Sequence, residues 1–179
     1  MKDNFFYRSV WSLVSSTVFR LVPTPFHKLR ILILRMFGAS VSWDCFVYPS
    51  VSIWSPRNLE MKSGSTLGPR VICYNPGKIM VGINSTVSQG VHLCSGTHDI
   101  VRENIKRSPY MPLITAPIEI KNFCWLTADV FVGPGVTINE GVIVSARSVV
   151  TKSLNGWSLY AGMPAIKIKS LNSNEEIAC

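Results

Sequence analysis

Three histidines are all that the 179-residue chain offers for proton transfer near neutral pH: His27, His92 and His98. Imidazole titrates in that range, so each is a candidate general base. They are not equivalent. His98 stands in Cys94-Ser95-Gly96-Thr97-His98-Asp99, where a regular pattern gives way to a long stretch containing Pro109, Pro112 and Pro117. Asp99 can help orient the ring, although adjacent side chains usually diverge. His92 directly precedes Leu93, an aliphatic of the regular pattern, and is expected to face outward as a surface histidine. His27 falls in an apolar N-terminal segment and reads as structural or interfacial. The five cysteines (Cys45, Cys73, Cys94, Cys124, Cys179) are odd in number and lack C-x-x-C spacing. That argues against a zinc ribbon or a disulfide framework and for a reducing compartment. Walker and dinucleotide-binding glycine patterns are both absent from the sequence.

The elements that must hold these residues show as a period of six. Ile114, Ile120, Leu126, Val132, Ile138, Val144 and Val150 are spaced six apart, as are Val41, Val47 and Ile53. So are Met61, Leu67 and Cys73, then Val81, Val87 and Leu93; these triplets start twenty residues apart, which is three hexads plus two extra residues. A second column of small or aliphatic residues stands two positions earlier, from Cys45 and Val51 to Val142 and Ser148. Residues two apart in a strand share a face. Each hexad therefore predicts a short strand with two inward side chains, followed by a corner. Gly64, Gly68, Gly82, Gly133, Gly135, Gly141, Asn84 and Asn139 suit such corners. Three hexads make one turn of a triangular solenoid. About five coils are expected, at 41–60, 61–80, 81–98, 120–137 and 138–155. Residues 95–117 leave as a loop, and a long excursion from a regular scaffold is more often functional than idle. The chain thus divides into a helical or peripheral segment (1–40), a β-solenoid (41–155) and a C-terminal cap and tail (156–179).

Hydrophobic residues make up 47% of the chain and charged ones 16%, which excludes a disordered protein. The longest aliphatic run, Ile31 to Leu34, is far short of the ~20 residues of a spanning helix. The net charge of +8 is uneven: residues 1–38 hold six basic residues and one acid, Asp3. A membrane surface, or an anionic lipid-linked substrate, explains this better than nucleic acid, since no long Lys/Arg run or groove-reading motif is present. In the same segment Thr24-Pro25 reads as an N-cap and first helical residue, predicting a helix from Pro25 to Phe37 closed by Gly38. His27, Lys28, Arg30 and Arg35 supply its polar edge. Two readings stay open: a helical cap packed on the core, and a basic, apolar face lying on a bilayer. A secretory signal fits poorly, because Arg20 interrupts the apolar stretch and no small-residue cleavage site follows.

The stretches PTPFHKLRILILRMFGA, VYPSVSIWSPRNLEM, LCSGTHD, LITAPIEI, FVGPGVTI, ARSVVTKS and AGMPA span Pro23 to Lys169. They resemble the hexapeptide-repeat acyltransferases, most closely the colanic-acid-biosynthesis branch, which is related to the maltose, galactoside and xenobiotic acetyltransferases. Hexads alone identify only a fold. Ser-Gly-Thr-His-Asp together with Ala-Gly-Met-Pro-Ala is more specific. The resemblance implies a mainly β fold, a left-handed parallel β-helix. It implies a homotrimer with acetyl-coenzyme A held in a cleft between neighbouring helices. The implied activity is O-acetyl transfer to a sugar hydroxyl in exopolysaccharide, capsule or O-antigen synthesis, with no metal required. The acceptor would be lipid- or nucleotide-linked, and the protein cytoplasmic or peripheral on the inner face of the membrane.

By the same resemblance His98 takes the position of the catalytic base. Ala146 falls on a backbone position that contacts pantetheine, and Thr151 and Lys152 fall near the nucleotide end. Lys152 offers charge to phosphates, or is a solvated corner lysine. Trp125, beside Leu126, should project outward, to wall a thioester channel or to meet a neighbouring subunit. The family usually follows Ala-Gly-x-Pro-Ala with Lys or Arg. Here Ile166 stands there, leaving Lys167 and Lys169 to supply the phosphate contact, or leaving that contact weaker. Asn75 resembles in position an asparagine that binds the acceptor sugar, and equally suits a turn. Two other functions compete. One is a non-catalytic trimeric scaffold. The other is a zinc enzyme of the carbonic-anhydrase kind, which needs three converging histidines where the solenoid offers only His92 and His98.

Overall fold

A computed structural model of the chain describes residues 5–99 and 111–171; the middle of the excursion and the end of the C-terminal tail lie outside them. The hexads fold as their spacing demands. One face of the solenoid stacks Ser40–Val41, Leu59–Met61, Ile79–Val81, Ile118–Ile120 and Thr137–Ile138. A second stacks Phe46–Val47, Thr66–Leu67, Thr86–Val87, Trp125–Leu126, Ile143–Val144 and Ser158–Ala161. A third stacks Ser52–Ile53, Ile72–Tyr74, His92–Cys94, Phe131–Val132 and Val149–Val150. Pairing is parallel and in register, so Val41 meets Met61, Met61 meets Val81, and Val81 meets Ile120. Five complete coils result. The start of a sixth follows within the region expected as a cap: Leu154 bridges to Ile138, and Ser158–Ala161 pairs with Ile143–Val144. An antiparallel strand, Ile166–Ser170, then closes the second face.

Both inward columns are buried and form one continuous core. At the edge between the first and second faces, the inward residues are mostly small and polar. Ser65 and Ser85 donate to the carbonyls of Lys62 and Lys121, each at 2.7 Å, and Cys124 donates to that of Asn139 at 3.1 Å. These bonds satisfy corner carbonyls that would otherwise be buried unpaired. The corner rule is positional. Gly64, Arg70, Asn84, Gly90, Phe123, Asp129, Gly135, Gly141 and Arg147 all have positive φ, and each directly precedes an inward residue. At Gly64 (φ 69°) a Cβ would come within 2.0 Å of Asn84 Oδ1, so any other residue there would have to displace that side chain.

One member of the periodic series does not belong to it. Ile114 keeps the spacing of six before Ile120 but is exposed in Leu113–Thr115, a strand of the excursion. The fourth coil begins at Ile118.

The N-terminal segment forms α1 (Phe5–Ser16), the single turn α2 (Val18–Leu21) and α3 (His27–Met36). The start of α3 differs from expectation. Thr24–Phe26 is a 3-10 turn with no side-chain cap, and the α-helix begins at His27. Gly38 ends the segment at φ 89°, as its position predicts. Phe19, Ile31 and Leu34 are fully buried in the solenoid core, and Trp11 donates its indole N–H to the Ile53 carbonyl at 2.7 Å. Arg30 is not on the polar edge. It is fully buried, donating from Nε to the Val47 carbonyl (2.7 Å) and from Nη1 to the Val22 carbonyl (2.6 Å). It stitches the cap to the first coil.

Candidate active site

The third-face strand His92–Cys94 does not turn the next corner. Ser95 fixes the departure. Its Oγ donates to the Gly77 carbonyl at 2.9 Å and accepts from the Gly77 N–H at 3.0 Å. Its carbonyl accepts from Ala116 N–H at 3.0 Å, so the excursion leaves and re-enters at one point. Between them Gly96–His98 pairs antiparallel with Leu113–Thr115, with His98 opposite Leu113. His98 is exposed, and its Nδ1 lies 2.9 Å from the Met111 carbonyl oxygen. A carbonyl can only accept, so Nδ1 carries the hydrogen and Nε2 of the neutral ring keeps its lone pair. A general base needs that tautomer. The ring partner is thus the Met111 carbonyl, while Asp99 continues the ribbon through its N–H to the Pro112 carbonyl at 2.9 Å.

The other two histidines sit in aromatic contacts. His92 projects outward and is half-buried edge-on against Phe131, with ring centroids 5.5 Å apart. Burial pushes its pKa below the ordinary value. His27 packs on Phe46 at 4.6 Å, joining α3 to the first coil. Among the described residues no three His, Cys, Asp or Glu side chains gather as a metal site would require.

Asn75 is a correction. It is fully buried, its Oδ1 accepting from Ser55 N–H (3.0 Å) and its Nδ2 donating to the Ser55 carbonyl (2.7 Å). The side chain pins the insertions of two successive coils and has no surface with which to meet an acceptor. The neighbouring aromatics do. Tyr74 and Trp54 lie edge to face at 5.1 Å, and the Arg8 guanidinium sits 3.2 Å from the Trp54 ring centre. They line a groove of about 230 Å³ between α1 and the third face. Tyr74 also flanks Gly96, where an added Cβ would meet its ring at 3.3 Å, so the groove runs beside the strand that carries His98. Sequence periodicity could not find this groove, because Arg8 comes from outside the solenoid.

The remaining candidates fall into two groups by edge. Thr151 and Lys152 are exposed at the corner after the third face, the edge from which the His98 ribbon also departs. Trp125, by contrast, projects from the second face, 39% exposed, its indole N–H held by Ser88 Oγ at 3.0 Å. Ala146 is exposed at the corner between second and third faces. Lys167 and Lys169 stand on the exposed strand that closes the second face, opposite Tyr160 and Leu159. A single chain therefore does not gather all of them around His98.

No family model matches the chain. A relative does: the Escherichia coli K12 protein WcaF, whose name assigns it to colanic acid biosynthesis as an acetyltransferase, is 38% identical over 160 residues. The match covers 89% of this chain and 85% of WcaF, enough to include every coil and the His98 ribbon. The chain belongs to the hexapeptide-repeat acetyltransferases. Solved structures of this family agree in fold. A maltose O-acetyltransferase from Clostridium difficile 630 superposes with a TM-score of 0.82 over 95% of this chain and 90% of its own, at 21% identity. The hexapeptide-repeat acetyltransferase VCA0836 of Vibrio cholerae, solved with acetyl-coenzyme A, gives 0.81 over 94% and 88% at 20% identity. Mirror-image solenoids do not superpose, so the β-helix is left-handed like theirs.

Proposed function

We propose that this acetyltransferase uses acetyl-coenzyme A to acetylate a sugar hydroxyl in surface-polysaccharide synthesis. The observation that carries the reading is His98, exposed at the mouth of the excursion with Nδ1–H engaged and Nε2 available. Acetyl-coenzyme A supplies an acetyl group activated as a thioester, with a thiol as leaving group. Nε2 of His98 takes the proton of the acceptor hydroxyl as its oxygen attacks the acetyl carbonyl, then returns that proton to the leaving sulfur. The residues present suit the donor. Ala146 leaves its corner backbone open to close approach, Trp125 offers a fixed apolar wall, and Thr151, Lys152, Lys167 and Lys169 offer polar and cationic groups to phosphates. Because these lie on different edges, the reading includes a homotrimer in which one copy supplies His98 and its neighbour the second-face groups. The groove of Arg8, Trp54 and Tyr74 is the acceptor side, its aromatic faces suiting the C–H faces of a sugar ring. The protein works in the cytoplasm or on the inner face of the membrane, where nucleotide- and lipid-linked sugars are available. Thiol release from acetyl-coenzyme A, measured against a panel of such sugars, tests this. Acceptor-dependent release with at least one of them is expected; activity only with amine acceptors, or none across the panel, would overturn it.

A further inference from the structure

The N-terminal cap carries apolar side chains that the solenoid does not use. In α3, Arg30, Ile31, Ile33 and Leu34 face inward and are buried. Leu29, Leu32 and Met36 face the other way, with 46%, 41% and 76% of their surface exposed. Their spacing of three and four residues makes one stripe along the helix. Phe26, one turn earlier, and Leu21 before it are also exposed. Lys28 and Arg35, seven residues apart, run along one side of the stripe, and exposed Arg20 precedes it. Arg35 is tied back to the Val41 carbonyl at 2.8 Å, leaving Arg20 and Lys28 as the outlying charges. No Asp or Glu occurs between Asp3 and Asp44. A solvated helix face ordinarily mixes both signs with few large apolar groups.

We infer that this face docks on an anionic lipid bilayer. Leu29, Leu32 and Met36 enter the boundary between headgroups and acyl chains, while Arg20 and Lys28 meet lipid phosphates. A second copy of the chain is a poorer occupant: a twofold contact would set the same positive, acid-free patch against itself, and the threefold assembly proposed above joins copies through the solenoid's site residues rather than through the cap. Among the described residues no helix is long and apolar enough to cross a membrane, so the cap lies in the plane of the surface. The inference rests on the proposed function only in that a lipid-linked acceptor gives the enzyme reason to be there.

Flotation of the full chain with vesicles tests it. Wild-type protein should float with mixed phosphatidylglycerol–phosphatidylcholine vesicles and not with phosphatidylcholine alone. Raising salt from about 0.05 M to about 0.5 M should release it. Lys28→Gln should lower partition ~5-fold. The triple variant Leu29→Gln, Leu32→Gln, Met36→Gln should lose flotation while keeping wild-type thiol release and wild-type sedimentation without lipid. Wild-type protein that stays unbound at low salt, or a triple variant that floats equally well, would overturn the docking. So would a triple variant with a changed oligomeric state, which would show that another copy covers the face. Thiol release in the same samples reads the acetyltransferase activity separately: its absence with flotation intact counts against that reading and not against the docking.

Discussion

A single hydrogen bond, Nδ1 to the Met111 carbonyl, sets which nitrogen of His98 can accept a proton. His98→Ala should lower thiol release ~10²–10⁴-fold while affinity for acetyl-coenzyme A, read by calorimetry, stays close to wild type. His92→Ala should leave both nearly unchanged, since its ring is engaged edge-on with Phe131. His92 should instead show in stability. Burial lowers its pKa, so the folded state favours the neutral ring and binds fewer protons than the unfolded chain. The stability it contributes is present above the ordinary histidine value of about 6.5 and is lost as pH falls below it. His92→Gln should flatten the decline of the urea midpoint over that acid range. At this scale the sequence was partly legible. His98 stands out as the candidate because it is the histidine at a break in a regular pattern, and the break itself is what the structure shows there. The role of Asn75 did not show, because a corner asparagine looks the same whether its amide points to solvent or, as here, to the Ser55 backbone.

Repeating elements were the most legible part, because each hexad states its own inward residues and twelve or more copies agree on the register. The same counting misplaced Ile114, since a spacing of six is kept along the chain even where the chain has left the coil. Arg30 was opaque for a different reason. A helix packed by one broad face hides some polar residues, and only the position of the first coil shows that the Val47 carbonyl is within reach. That residue also carries the sharpest stability prediction. Arg30→Ala would leave the Val47 and Val22 carbonyls without their donor and open a cavity beneath α3. Urea unfolding should show a loss on the order of 3 kcal/mol. Arg30→Lys, with one nitrogen in place of a fork, should recover less than half of it.

The outward columns of the three faces differ, and the difference predicts the assembly. The first face shows Ser40, Glu60, Met80, Glu119 and Thr137, with Glu60 paired to Lys62 and Lys78. The second shows Phe46, Trp125, Ile143 and Leu159 among its column, and the third shows Ile72, His92, Phe131 and Val149. The two more apolar faces are the ones that the proposed ring of three copies would use for its contacts, leaving the first to water. Light scattering should give the mass of a trimer, and Ile72→Glu should reduce it to a monomer. If neighbours share a site, mixing two inactive proteins, His98→Ala and Ala146→Trp, should restore activity to about a quarter of wild type on statistical grounds, from sites that draw each intact half from a different copy. The ends of the solenoid carry a further consequence. Stacked parallel coils have no intrinsic stopping length, because the last coil offers the next one the same row of free amides and carbonyls that it received. Here α3 seals the first coil, and the antiparallel strand Ile166–Ser170 runs against the direction a seventh coil would need. A chain lacking residues 1–38 would present one bare edge while its far end stays closed by Ile166–Ser170. Its fate should be pairing of bare edge with bare edge, a head-to-head species that stops at twice the starting mass in light scattering; removal of both caps should be needed for thioflavin-positive fibres.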